Sequence, residues 1–192
     1  MRARILTQSA MEARRTKPRA PLDEPALFNY AVGMLARQMR TERELRRLMQ
    51  RRAEPGGAGA RAMDAVVARL KELKYLSDTR FAADYTRLRI EREKFGRRRV
   101  QQDLAAKGVA SETVGKAVGE AYAGVDEVAL AREYVARKRM KQPSGENARK
   151  ESAKVMGRLL RAGFSAGAVF KVLREWGVEV EEVDVEVEGG SD

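Results

Sequence analysis

Val100-Gln101-Gln102-Asp103-Leu104-Ala105-Ala106-Lys107-Gly108-Val109 and Val155-Met156-Gly157-Arg158-Leu159-Leu160-Arg161-Ala162-Gly163-Phe164 carry one pattern twice, fifty-five residues apart. In each, two apolar residues four apart lie on one face of a helix, and a glycine four positions further on stops it. Glycine suits the left-handed residue after a helix, and the apolar residue behind it can fold back on the last turn. The correspondence continues beyond the glycines. Val114 and Val118 fall on Val169 and Leu173, while Leu45 and Met49 lie fifty-five residues before Val100 and Leu104. Tyr30, Tyr85 and Tyr134 follow at spacings of 55 and 49, the shorter step reflecting a longer loop in the third unit. The pattern predicts an all-α chain of three tandem three-helix repeats forming an elongated, curved array.

Working outward, the first repeat occupies residues 23–76. Asp23-Glu24-Pro25 reads as a helix start, with acids at the positive end and proline in the first turn. Ala26, Leu27, Tyr30, Ala31, Met34 and Leu35 follow at helical spacing. Thr41-Glu42-Arg43-Glu44 has the form of a capping box, and Glu54-Pro55-Gly56-Gly57 breaks the chain before Val66, Val67, Leu70 and Leu73. The second repeat, 77–124, opens at Ser77-Asp78 with Phe81, Tyr85 and Leu88 and is interrupted at Phe95-Gly96. The third, 125–177, runs from Val128, Leu130 and Tyr134 through Gln142-Pro143-Ser144-Gly145 to Val169, Val172, Leu173 and Trp176. Residues 1–22 read as a disordered basic lead. Residues 178–192 read as a disordered acidic tail, because seven uncompensated charges repel one another.

The chain has no histidine and no cysteine. That removes the commonest general base, thiol nucleophiles and the usual metal ligands. No glycine-rich phosphate loop followed by Lys-Ser/Thr is present, and no apolar run is long enough to span a bilayer. A non-enzymatic, cofactor-free, metal-free, cytoplasmic protein is expected. Charge is unevenly distributed: the net +11 resolves into +3 over residues 1–25, +15 over 26–178 and −7 over 179–192. A basic body of this kind suits a polyanionic partner, most often nucleic acid.

The candidate contact residues are Arg87, Arg89, Arg92, Lys94, Arg97, Arg98, Arg99 and Lys107 in the second repeat. In the third they are Arg137, Lys138, Arg139, Lys141, Arg149 and Lys150, with Arg132 and Lys154 nearby. An arginine-rich turn beside helix amides can hold phosphate or carboxylate. Against that stands pairing with Glu91, Glu93, Asp103, Glu133 or Glu151 on solvated faces. Phe95, beside the basic turn, is the aromatic best placed for stacking, although packing is the first reading for every aromatic here. Asp78 is adequately explained by helix capping.

Three motifs in order add a family resemblance. Tyr75-Leu76-Ser77-Asp78-Thr79-Arg80-Phe81-Ala82, then Gly96-Arg97-Arg98-Arg99-Val100 through Lys107-Gly108-Val109, then Leu159-Leu160-Arg161-Ala162-Gly163-Phe164-Ser165 resemble the signature of the RecX family. They depart from it in Ala162, where arginine is usual, and in the glycine-rich stretch at 55–59. The resemblance covers roughly residues 26–177. It implies a three-repeat helical protein whose partner is RecA assembled on single-stranded DNA. Such proteins lie in the groove of that filament and restrain its extension, ATP hydrolysis and strand exchange, and they also bind DNA directly, single- or double-stranded. Separately, a terminal unit ending in Trp176 and a charged tail looks like a cap, and a monomer is expected. A general nucleic-acid binder without a dedicated protein partner, or an adaptor for acidic proteins, would share the same charge pattern.

Overall fold

The computed structural model describes residues 20–178. The lead through residue 19 and the acidic tail from residue 179 lie outside the described residues. Within them the chain is helical, and three three-helix repeats follow one another. It divides into two compact units, one made of residues 20–39 and 44–76, the other of 40–43 and 77–178.

The first unit holds α1 (Glu24–Arg37), most of α2 (Glu42–Gln50) and α3 (Gly57–Glu72). Asp23 accepts from the Ala26 amide at 3.0 Å and caps α1, with proline in the first turn as the sequence suggests. Leu27 and Ala31, Leu45 and Met49, and Val66, Val67 and Leu70 are the i, i+3 and i+4 positions of the three helices. They meet with Leu76 in one core. The glycines at 57–59 are not merely a chain break. They form the first turn of α3, where a Cβ on Gly59 would stand 1.9 Å from the Glu54 carbonyl oxygen. Leu22, assigned to the lead by its sequence, is ordered: its amide donates to the Arg52 carbonyl at 2.7 Å, and it pairs with Ala53 in a parallel bridge.

The second unit contains α4 (Asp78–Leu88), a π-helical turn (Arg89–Glu93), α5 (Arg97–Ala106), α6 (Ser111–Tyr122), α7 (Glu127–Arg137), α8 (Ala148–Arg161) and α9 (Ala166–Glu175). In each triplet the third helix packs on both others. Phe81, Ala82, Val100, Leu104, Val109, Val114 and Val118 make one core, and Leu130, Tyr134, Val155, Leu159, Phe164, Val169, Val172 and Leu173 another. Phe95 and Tyr122 pack against both, so the two triplets share side chains. The expected fold-back after α5 is present: Val109 is buried and its amide donates to the Leu104 carbonyl.

Residues 40–43 join this unit through three hydrogen bonds. Thr41, fully buried, donates from its hydroxyl to the Lys107 carbonyl at 2.8 Å. The Arg43 guanidinium donates to the Ala106 carbonyl. The Glu42 amide donates to the Asp78 carboxylate at 2.8 Å. The cap of α4 is Ser77, which accepts from Arg80, so Asp78 is left to hold the 40–43 segment.

Candidate nucleic-acid interface

The arginine-rich turn of the second unit begins where α4 changes its winding. Thr86, buried, donates from its hydroxyl back to the Ala82 carbonyl at 2.7 Å, a bond that loosens helices. After Leu88 the helix widens into the π turn and ends at Lys94, whose φ of 57° is left-handed. The accommodated extra residue brings Phe95 and Gly96 onto the end of α8. There the Gly96 amide donates to the Ala162 carbonyl at 2.8 Å and the Arg98 amide to the Gly163 carbonyl at 3.2 Å. A Cβ on Gly96 would lie 2.3 Å from the Gly163 carbonyl carbon, so only glycine fits. The Tyr122 hydroxyl donates to the Phe95 carbonyl at 2.7 Å, and burial pushes that phenol far above its ordinary value. The Phe95 ring is half-buried, 6.1 Å from that of Tyr134. It packs between the triplets and does not stand free for stacking.

The structure separates the candidate cations into two groups. Arg87 pairs with Asp84 at 3.2 Å and lies 3.7 Å from Glu91. Arg99 pairs with Asp103 at 2.9 Å. Arg89 lies over the Tyr85 ring at 4.6 Å, and Lys107 faces Phe81 and Tyr85 at 5.8 and 5.7 Å. Lys94 reaches Glu133 on α7 at 2.6 Å, while Arg137 and Lys138 converge on Glu93 at 3.3 and 3.9 Å. These last three tie the π turn to α7. Arg132, on the same helix, makes a two-pronged contact with Glu175 of α9 at 2.9 and 2.5 Å.

Arg92, Arg97, Arg98, Arg139, Lys141, Arg149 and Lys150 are exposed. None of their side chains has an ion-pair partner among the described residues. A partly exposed ion pair contributes roughly 0–1 kcal/mol, so a paired cation can exchange its carboxylate for a phosphate. Only the free ones meet a phosphate without losing a contact.

A further row was only half visible in the sequence. Lys150, Lys154, Arg158 and Arg161 stand at spacings of four, four and three along α8, all exposed. They form one stripe about 16 Å long at 1.5 Å per residue. Ala153 and Gly157 lie between them and leave the helix surface low enough for a backbone to approach. Arg158 and Arg161 also sit in the last turn, where cations complement the helix dipole. Reading cations by turn and not by helix face kept these two out of the candidate set; the i, i+4 spacing was the signal that finds them.

Among the described residues no helix is long and apolar enough to cross a membrane. The family model for RecX, second three-helix domain, matches residues 77–118, the stretch from the start of α4 into α6. A regulatory protein RecX from Thermobifida fusca (strain YX) is 31% identical over 155 residues, covering 81% of this chain and 79% of that protein. Another, from Geobacillus kaustophilus (strain HTA426), is 28% identical over 83% of this chain, which spans only 57% of that longer relative. The crystal structure of RecX from Lactobacillus salivarius superposes with a TM-score of 0.61 at 20% identity, covering 81% of this chain and 97% of that one, a likeness of fold. Motifs, helical triplets and relatives agree, and the chain belongs to the RecX family of regulatory proteins.

Proposed function

We propose that this protein is a non-enzymatic cytoplasmic regulator of RecA. It binds, as a monomer, in the groove of the RecA–single-stranded DNA filament and inhibits filament extension, ATP hydrolysis and strand exchange. The observation that supports this reading is the set of exposed, unpaired cations of the second unit. Arg97 and Arg98 stand at the start of α5, Arg139 and Lys141 follow α7, and Lys150, Lys154, Arg158 and Arg161 line α8. Cations spaced along a rigid helix suit successive phosphates and read no base sequence. In this reading the paired cations around Glu93 position the π turn, and the free ones meet DNA.

The test is RecA's DNA-dependent ATPase, measured while the protein is titrated in. Inhibition at stoichiometric amounts is the expected result, and an unchanged rate at excess would sink the proposal. The stripe on α8 equally suits a general binder of single- or double-stranded DNA. Salt separates the two, because DNA affinity falls by about 0.7–0.9 log units per log unit of salt for each phosphate neutralised. A dedicated regulator still recognises the RecA filament at salt concentrations that abolish binding to bare DNA.

A further inference from the structure

One kind of joint onto a helix-end carbonyl occurs twice in register, made once by a side-chain hydroxyl and once by a backbone amide. The Lys107 carbonyl, just past the end of α5, receives the Thr41 hydroxyl at 2.8 Å. Fifty-five residues later in both partners, the Ala162 carbonyl, just past the end of α8, receives the Gly96 amide at 2.8 Å. Each joint is a plug, the residue before a second helix, seated on a socket, the last carbonyl turn of another second helix. The glycine behind each socket carbonyl has a left-handed φ, 84° at Gly108 and 93° at Gly163. Both are crowded by the docked segment. A Cβ would meet Arg43 at 2.2 Å in the first and the Arg99 amide nitrogen at 2.3 Å in the second.

The same register places a third socket in the first unit, at Arg52 and Ala53 behind α2. Its carbonyl is also occupied, but from a different source: the Leu22 amide donates to it at 2.7 Å. The residue behind this carbonyl is alanine, and it pairs with Leu22 in a single parallel bridge. Ala53 is not left-handed as Gly108 and Gly163 are, and its amide donates to the Met49 carbonyl, so this turn accommodates a Cβ. The Leu22 side chain covers the core beside α2.

We infer that the Arg52–Ala53 turn is a docking socket at the register-equivalent position, built on a different turn, and that Leu22 is its built-in occupant. A second copy of the chain is the other conceivable occupant, and the third repeat argues against it. The register-equivalent of Gly96 is Glu151, which lies inside α8 because that helix begins at Ala148, four residues ahead of the position matching Arg97. Its amide is used within the helix. The plugs at Thr41 and Gly96 are already seated. No described segment of this type is left to enter the socket of a neighbouring molecule.

Amide exchange by NMR on the full chain tests this directly. The Leu22 amide is expected to exchange at least about tenfold slower than an unstructured peptide amide. Leu22→Pro removes the donor and should speed exchange at Arg52 and Ala53 several-fold; Leu22→Ala keeps the donor and should speed it less. Sedimentation of both variants should remain that of a monomer. Thr41→Val serves as the control that loosens the Lys107–Val109 turn in the same manner. A Leu22 amide exchanging at the free-peptide rate would overturn the inference without any variant. So would unchanged exchange at Arg52 and Ala53 in Leu22→Pro, or concentration-dependent self-association of that variant, which would make the occupant a second copy.

Discussion

Gly163 is constrained from two directions at once. Its φ of 93° is hostile to any side chain, and the space where a Cβ would go is taken by the backbone of Arg99 and Gly96. Gly163→Ala therefore combines left-handed strain of about 1–3 kcal/mol with overpacking of similar size. A loss of at least about 2 kcal/mol is expected in urea unfolding of the chain. Gly115 is the contrast. It lies exposed inside α6 with nothing within 4 Å of a Cβ, so Gly115→Ala should stabilise by about 0.5–1 kcal/mol. Both glycines look alike in the sequence, but only Gly163, which ends a periodic apolar run, announced a role there. The close approach to Gly96 came from a segment sixty-seven residues away and had no local signature.

Among the elements, the π turn and α7 carry the most consequence. Tyr122, on α6, holds the turn by donating to the Phe95 carbonyl. Tyr122→Phe leaves that acceptor unpartnered at a part-buried site and should cost about 1–2 kcal/mol, with faster amide exchange through residues 89–96 as the local readout. The α7 helix is tied at its start by Asp126, which accepts from the Ala129 and Val128 amides, and at its middle by the Arg132–Glu175 pair. The backbone hydrogen bond from Ala129 holds the Asp126 carboxyl below its ordinary value, and the Arg132 hydrogen bond does the same for Glu175. A depressed folded pKa gives stability that is present above the unfolded value and lost as pH falls through the folded one. Acidification below the ordinary carboxylate range should therefore lower the melting temperature. Asp126→Asn combined with Glu175→Gln should flatten that acid dependence, followed by melting curves at successive pH values.

For the whole molecule, the prediction concerns salt. Neutralising Lys150, Lys154, Arg158 and Arg161 to glutamine removes four free cations from one helix face. If they meet phosphates of single-stranded DNA, the slope of log affinity against log salt should shrink by about 3, at about 0.7 per contact. Lys94→Gln with Lys138→Gln should leave that slope nearly unchanged, because those ammonium groups face Glu133 and Glu93. Equal slopes for the α8 variant and the unaltered protein would move the interface elsewhere. Fluorescence anisotropy on a labelled oligonucleotide at several salt concentrations reads both.

The sequence by itself determined the helices, their grouping in threes, the glycine stops and the family. All of these rest on apolar periodicity, capping residues and turn glycines that act within about four residues of themselves. Leu22 reads as part of the lead because its partner, the Arg52 carbonyl, lies thirty residues away, and the need for glycine at Gly59 comes from the close Glu54 carbonyl, which composition does not show. The basic excess was equally plain, but not its use. Lys94 finds Glu133, Arg137 finds Glu93 and Arg132 finds Glu175 across thirty-nine to forty-four residues. Such partners exist only after the triplets have packed. Tertiary structure alone therefore decided which cations brace the fold and which, on the open face of α8, remain free for a polyanion.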